Sequence, residues 1–109
     1  MNRRPEGLMT EESQEIMKML REHREEILAA AAKHGARNVR IFGSVARGEA
    51  GPGSDIDLLV DMDPGRTILD LVGVYQDAGD FLGQRVDVLT DGGISPYLRK
   101  RILSEAVPL

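Results

Sequence analysis

The chain has no cysteine and no tryptophan, and only two tyrosines and two phenylalanines among its 109 residues. Without cysteine there are no disulfides, no thiolate nucleophile and no cysteine-based zinc site. With so few aromatics, the core has to be built from Leu, Ile, Val, Met and Ala. No apolar run approaches the ~20 residues that span a membrane, and the first residues lack the apolar stretch of a signal peptide. These absences predict a cytoplasmic protein with no membrane partner. Positive charge is in short supply too: 14 Lys and Arg stand against 18 Asp and Glu, a net charge of −4. That balance argues against direct nucleic-acid binding, which runs on an excess of Lys and Arg, but leaves room for a small basic nucleotide site. The length suits one domain with a single modest core.

Residues 1–9 include Pro5, Gly7 and two arginines without periodicity, and predict a mobile tail ahead of a single domain over 10–109. Thr10-Glu11-Glu12-Ser13 reads as a helix start, with a hydroxyl cap followed by early acids. Ile16, Met19, Leu20, Ile27, Leu28 and Ala31 follow at helical spacing as far as His34, with Gly35 as the stop. The pattern does not decide between one helix and two. Val39-Arg40-Ile41-Phe42 and Ile56-Asp57-Leu58-Leu59-Val60 read as strands, the second largely buried. Asp61 to Gly65 reads as a turn. Thr67 then caps a helix whose apolar stripe is Ile68, Leu71, Val72, Tyr75, Ala78 and Leu82, ended by Gly83. Arg85 to Thr90 is a third strand, Asp91-Gly92-Gly93 a loop, and Ser95-Pro96 opens a last helix with Leu98, Ile102, Leu103 and Ala106 on one side. The order α-β-α-β-α-β-α predicts an α/β (α+β) domain, a small mixed sheet with helices packed mainly on one face.

One pattern carries chemistry. Gly43-Ser44 is followed after ten residues by Asp55-Ile56-Asp57. At a strand-to-helix turn, a glycine lets backbone approach a phosphate closely, and a serine offers a hydroxyl and free N–H groups to an anion. Residues two apart on a strand share a face, so Asp55 and Asp57 point together, and Asp87, flanked by Val86 and Val88, can join them if its strand is adjacent. Three close carboxylates repel one another unless a cation is bound, and Mg²⁺ takes oxygen ligands together with substrate phosphates. On its own, each piece has a plainer reading: a tight turn with a capping serine, two solvated acids at a strand start, an exposed Asp87 paired with Arg85 or Arg99. The fixed spacing joins them into one site. Arg47 serves a triphosphate, a partner surface, or a salt bridge to Glu49. Gly48, Gly51, Pro52 and Gly53 read as a flexible loop over the site, with Ser54 orienting Asp55.

Gly43, Ser44, Arg47, Gly48, Ser54, Asp55, Asp57 and Leu58 make the chain resemble the nucleotidyltransferase superfamily typified by DNA polymerase beta. More narrowly it resembles the minimal nucleotidyltransferases, the antitoxin half of HEPN–MNT toxin–antitoxin pairs, over about Val39 to Thr90. Position 45 is Val where many relatives carry an arginine, which removes one phosphate contact. The resemblance implies a polymerase-beta-like palm. It implies Asp55, Asp57 and Asp87 as catalytic, metal-binding residues holding Mg²⁺ (two ions), with Asp87 alternatively activating the acceptor hydroxyl. Gly43, Ser44, Arg47 and Ser54 would bind the nucleotide. It further implies transfer of AMP from ATP to a tyrosine hydroxyl of a cognate HEPN ribonuclease toxin, with release of pyrophosphate, in a hetero-oligomer with that toxin. Two other readings remain: an antitoxin that neutralises its partner by stoichiometric binding, and a toxin that adds nucleotides to tRNA.

Overall fold

In the structure, a computed structural model that describes residues 6–109, the N-terminal helical stretch is two helices. α1 spans Glu11–Glu22 and α2 spans Arg24–Lys33, with His23 as the break between them. Thr10 caps α1 as its sequence suggests, its hydroxyl accepting the Ser13 N–H at 3.2 Å. Residues 1–5 of the expected tail lie outside the described residues. Glu6–Leu8 form a 3-10 turn, and the Met9 side chain packs against the core.

The sheet strands are β1 (Ala36–Phe42), β2 (Ile56–Met62), β3 (Val86–Thr90) and β4 (Val107–Pro108), in the order β3-β2-β1-β4. Between them lie α3 (Gly43–Arg47), α4 (Ile68–Leu82) and α5 (Pro96–Glu105). β1 runs antiparallel to both β2 and β4, whereas β2 and β3 are parallel and joined through α4. The sheet is therefore mixed, as expected. α4 starts on a full capping box, with Thr67 and Asp70 bonding each other's backbone N–H groups, and stops at Gly83 in a left-handed conformation.

Alternation sorts each strand between two faces. Ile56, Leu58 and Val60 of β2, Val86 and Val88 of β3, and Val39 and Ile41 of β1 join Leu20, Ile27, Ala31, Val74 and Ala78 in the main core. The opposite face carries a smaller cluster, Phe42 and Leu59 beneath Ile94 and Ile102. Helices α1, α2 and α4 cover the first face and α5 part of the second, so most of the second face is left for polar groups. His34, read as a helix-end residue, also locks α2 to α4. Its Nε2 lies 2.8 Å from Asp77 Oδ2, and its ring occupies the space where a Cβ on Gly73 would sit.

Five local expectations change. β2 continues through Asp61 and Met62, which pair with Arg37 and Ala36, so the turn begins only at Asp63. α4 buries Val74, Ala78 and Leu82 against the sheet, while Ile68, Val72 and Tyr75 face outward. Asp91–Gly93 is a 3-10 turn, and Val107–Pro108 forms a short edge strand with no strong pattern in the sequence. The 48–54 loop, expected to be flexible, is tied to α1: Thr10 N–H donates to the Gly48 carbonyl at 2.9 Å, and Ala50 N–H donates to Ser13 Oγ at 2.9 Å.

Candidate active site

β2 and β3 run side by side with Asp57 directly opposite Asp87, and on the other side Asp57 lies opposite Phe42 of β1. Neighbouring strands are about 4.8 Å apart, so the two carboxylates issue from adjacent backbone positions on one face. The next residue after Phe42 is Gly43, with φ of +76°, where the chain turns from β1 into α3. A Cβ there would collide with Asp57 Oδ2. Glycine is required twice, by its backbone conformation and by the carboxylate seated against it.

Asp57 is half-buried, and its carboxyl is pushed up to about 6, first by burial and then by the negative charges of Asp87 and Asp55. Arg47 acts in the opposite direction, and Glu105 adds to the rise. A carboxylate held among carboxylates is unfavourable until a positive charge arrives. Asp87 is exposed. Asp55 precedes β2 and is turned to Arg85, with 3.2 Å between Arg85 Nε and Asp55 Oδ1. Arg85 thus pairs with Asp55, and Arg99 pairs with Asp91 at 3.0 Å, rather than either with Asp87.

The remaining expected residues separate into two groups. Ser44 lies in the first turn of α3, whose N-terminus at Phe42 has no side-chain cap. The first amides of that turn therefore lack the usual side-chain acceptor. Arg47, four residues after Gly43 and so on the same side of the turn, donates from Nε to Glu49 at 2.9 Å and from Nη1 to Glu105 at 3.1 Å. Ser54 closes its own loop, its hydroxyl accepting the Gly51 N–H at 2.9 Å. The structure brings Gly43, Asp57 and Asp87 together, with Arg47 near enough to act on Asp57. Asp55 also acts on Asp57 through its charge while it pairs with Arg85, and Ser54 bonds within its own loop.

Among the described residues, no three His, Cys, Asp or Glu side chains are gathered closely enough to hold a metal ion. The chemistry of the donors nevertheless suits Mg²⁺: two adjacent carboxylates, one with a raised affinity for positive charge, on an accessible face. Asp55 is a third oxygen donor once it leaves Arg85, a pair whose side chains are 42% and 85% exposed and which is therefore weak.

A family profile described as a nucleotidyltransferase domain matches residues 20–109. The chain belongs to the nucleotidyltransferase family. This nucleotidyltransferase is 44% identical over 88 residues to a Methanocaldococcus jannaschii protein assigned as a protein adenylyltransferase, covering 81% of this chain and 95% of that one. It is 32% identical over 94 residues to the protein adenylyltransferase MntA of Thermococcus cleftensis, covering 86% and 92%. Among solved structures, one assigned as a minimal nucleotidyltransferase matches with a TM-score of 0.76 and 49% identity, over 84% of this chain and 94% of that one. A toxin–antitoxin structure with AMP-PNP shares the fold at a TM-score of 0.59 and 20% identity, over 88% and 70%.

In this nucleotidyltransferase, sequence reasoning missed Glu105, the Arg85–Asp55 pair and the tie of Thr10 and Ser13 to the 48–54 loop. Glu105 lies far along the chain from Arg47 and closes on it only through the fold. An acid at the end of a helix is ordinarily a solvated side chain, so nothing in its local pattern marks it. The Arg85–Asp55 pair follows from β3 lying beside β2, which the strand pattern alone leaves open.

Proposed function

We propose that this chain is a Mg²⁺-dependent protein adenylyltransferase acting as an antitoxin, with ATP as donor and a tyrosine hydroxyl of a HEPN ribonuclease toxin as acceptor. The observation that carries the reading is the in-register pair Asp57–Asp87 with Gly43 seated against Asp57. Relatives named as protein adenylyltransferases, matched along nearly their whole length, support the transferred group and the protein acceptor. The toxin–antitoxin fold neighbour with AMP-PNP agrees with a toxin partner and an adenine nucleotide.

In this reading, residues 10–109 act as one cytoplasmic nucleotidyltransferase domain. Asp57 and Asp87, joined by Asp55, hold the metal, which when bound lowers the acceptor hydroxyl's pKa and offsets charge on the leaving pyrophosphate. Gly43 and Ser44 seat the triphosphate, Arg47 offsets its charge, and Ser54 keeps the loop before Asp55 in place. The acceptor oxygen forms a bond to the α-phosphorus, the α–β anhydride bond breaks, and the hydroxyl proton passes to a carboxylate, for which Asp87 is best exposed.

Intact-mass spectrometry of the partner toxin, incubated with this protein, Mg²⁺ and ATP, tests the reading. The expected result is a mass gain in whole AMP units, absent without metal and absent with Asp55→Asn and Asp57→Asn together. An unmodified toxin held in a stable complex would replace catalysis by stoichiometric binding.

A further inference from the structure

Glu105 is 4% exposed, an unusual place for a carboxylate. Two guanidinium groups compensate it: Arg47 Nη1 at 3.1 Å from Oε2 and Arg101 Nε at 3.2 Å from Oε1. The two partners differ in kind. Arg101 is one helical turn away on α5 and would neutralise Glu105 wherever α5 sat. Arg47 belongs to α3, the short helix that begins with Gly43, and links the phosphate-seating turn to the far end of the chain.

The Glu105 backbone is firmly held. It is the last residue of α5, the next residue's N–H donates to the Ile102 carbonyl at 3.0 Å, and Val107 pairs with Ile41 of β1. Glu105 is thus the fixed member and Arg47 the member whose orientation is being set. With Nε on Glu49 and Nη1 on Glu105, the guanidinium plane is fixed by two bonds. Its Nη2 makes no hydrogen bond among the described residues, and the side chain is 27% exposed. An arginine held at Nε and Nη1 keeps Nη2, the nitrogen its two N–H forks share, to meet an anion.

We propose that Glu105 is a positioning residue for nucleotide binding, fixing the Arg47 guanidinium beside the Gly43 turn so that its Nη2 meets the triphosphate. The proposal rests on the reading of that turn as the triphosphate seat. Glu105 touches no substrate and acts only through Arg47.

The test measures Mg·ATP affinity by titration calorimetry on the full chain, with thermal melting alongside. Glu105→Gln keeps the shape but supplies one acceptor oxygen for two guanidinium donors. It is expected to weaken Mg·ATP binding roughly tenfold, the loss of one well-placed charge-assisted contact. In an Arg47→Met background the same change should cost nothing further, since the group it positions is gone. Should Arg47→Met alone fail to fold, the comparison of Arg47→Met/Glu105→Gln with Arg47→Met/Glu105→Met serves the same purpose, and equal affinities are expected. A Glu105→Gln protein that melts earlier but binds Mg·ATP as well as the wild type would overturn the proposal and leave Glu105 a strut. An equal loss in both backgrounds would overturn it as well, because the effect would not run through Arg47. A wild-type chain that binds no Mg·ATP would overturn the nucleotide reading itself, and this proposal with it.

Discussion

The two ends of β2 each carry an aspartate on the same face of the sheet, and the fold treats them in opposite ways. Asp61 is surrounded by donors: Asn38 Nδ2 at 2.9 Å, Arg40 Nη2 at 2.8 Å and Arg37 Nη1 at 3.8 Å. Its carboxyl is held below the usual range, chiefly by the Asn38 hydrogen bond and then by Arg40. Asp57, four residues earlier, meets burial and two further carboxylates, and its carboxyl rises to about 6. One aspartate is satisfied within the protein and helps hold β1 to β2. The other has only Arg47 acting against those carboxylates, and in the proposed reading a bound cation supplies the rest. The same side chain on the same strand thus serves structure at one end and, in that reading, ligand chemistry at the other, and the neighbours decide which.

The comparison breaks most visibly if Asp57 is neutralised. Asp57→Asn should lower adenylyl transfer by roughly a thousandfold or more, the scale of losing a metal ligand that acts on the transferring phosphate. Steady-state transfer assays with saturating Mg²⁺ check it, and a variant within tenfold of the wild type would remove Asp57 from the chemistry. Gly43→Ala comes next. A strained left-handed backbone and a Cβ against Asp57 Oδ2 should together cost about 2–4 kcal/mol of stability, read from urea melts. Transfer should fall as well, because Asp57 has to move aside.

Stability against pH then sharpens the contrast. The Asp57 carboxyl is raised from an ordinary 3.8 to about 6, so the folded state favours its protonated form. Its contribution to stability is full below about pH 4 and is lost as pH rises through about 6. Asp57→Asn should therefore stabilise the metal-free protein by about 1–2 kcal/mol at pH 7.5, after discounting for the solvent that reaches the carboxylate, and by nothing near pH 4. Millimolar Mg²⁺ should raise the melting temperature of the wild type and leave that of the variant unchanged. Asp61→Asn should do the reverse. A lowered carboxyl contributes stability above the ordinary value and loses it as pH falls through its folded value. A loss of about 1 kcal/mol at pH 7, vanishing in acid and sparing transfer, is expected in thermal melts across that range.

The contrast was only partly legible in the sequence. The Gly43-Ser44 and Asp55-Asp57 spacing pointed to the Asp57 end of β2 because that signal is local, whereas the meeting of Asp57 with Asp87 rests on β3 pairing with β2, which alternation alone leaves open. Asp61 was read as part of a turn, since Pro64-Gly65 advertises one. The β1–β2 register in fact continues to Met62 opposite Ala36, and that pairing depends on a partner strand some twenty residues away. Asp55 was expected to point with Asp57; it acts on Asp57 through its charge, and its pair with Arg85 depends on β3 lying beside β2, which no local pattern shows. The outward half of α4 was misassigned for a similar reason: an apolar stripe records a helix's period, and only packing tells which half faces the sheet.

The parallel pairing of β2 with β3 has a consequence for synthesis and folding. Gly43 and Asp57 meet through the β1–α3–β2 hairpin-like unit, which can assemble once the chain is made as far as Met62. Asp87 arrives only after α4 has formed and carried β3 back to the sheet, a slower, non-local closure. A nascent or partly unfolded chain can therefore present the Gly43 turn and Asp57 while lacking Asp87. In the proposed reading, chemistry waits for β3 to close on β2, so activity reports that non-local pairing rather than local order.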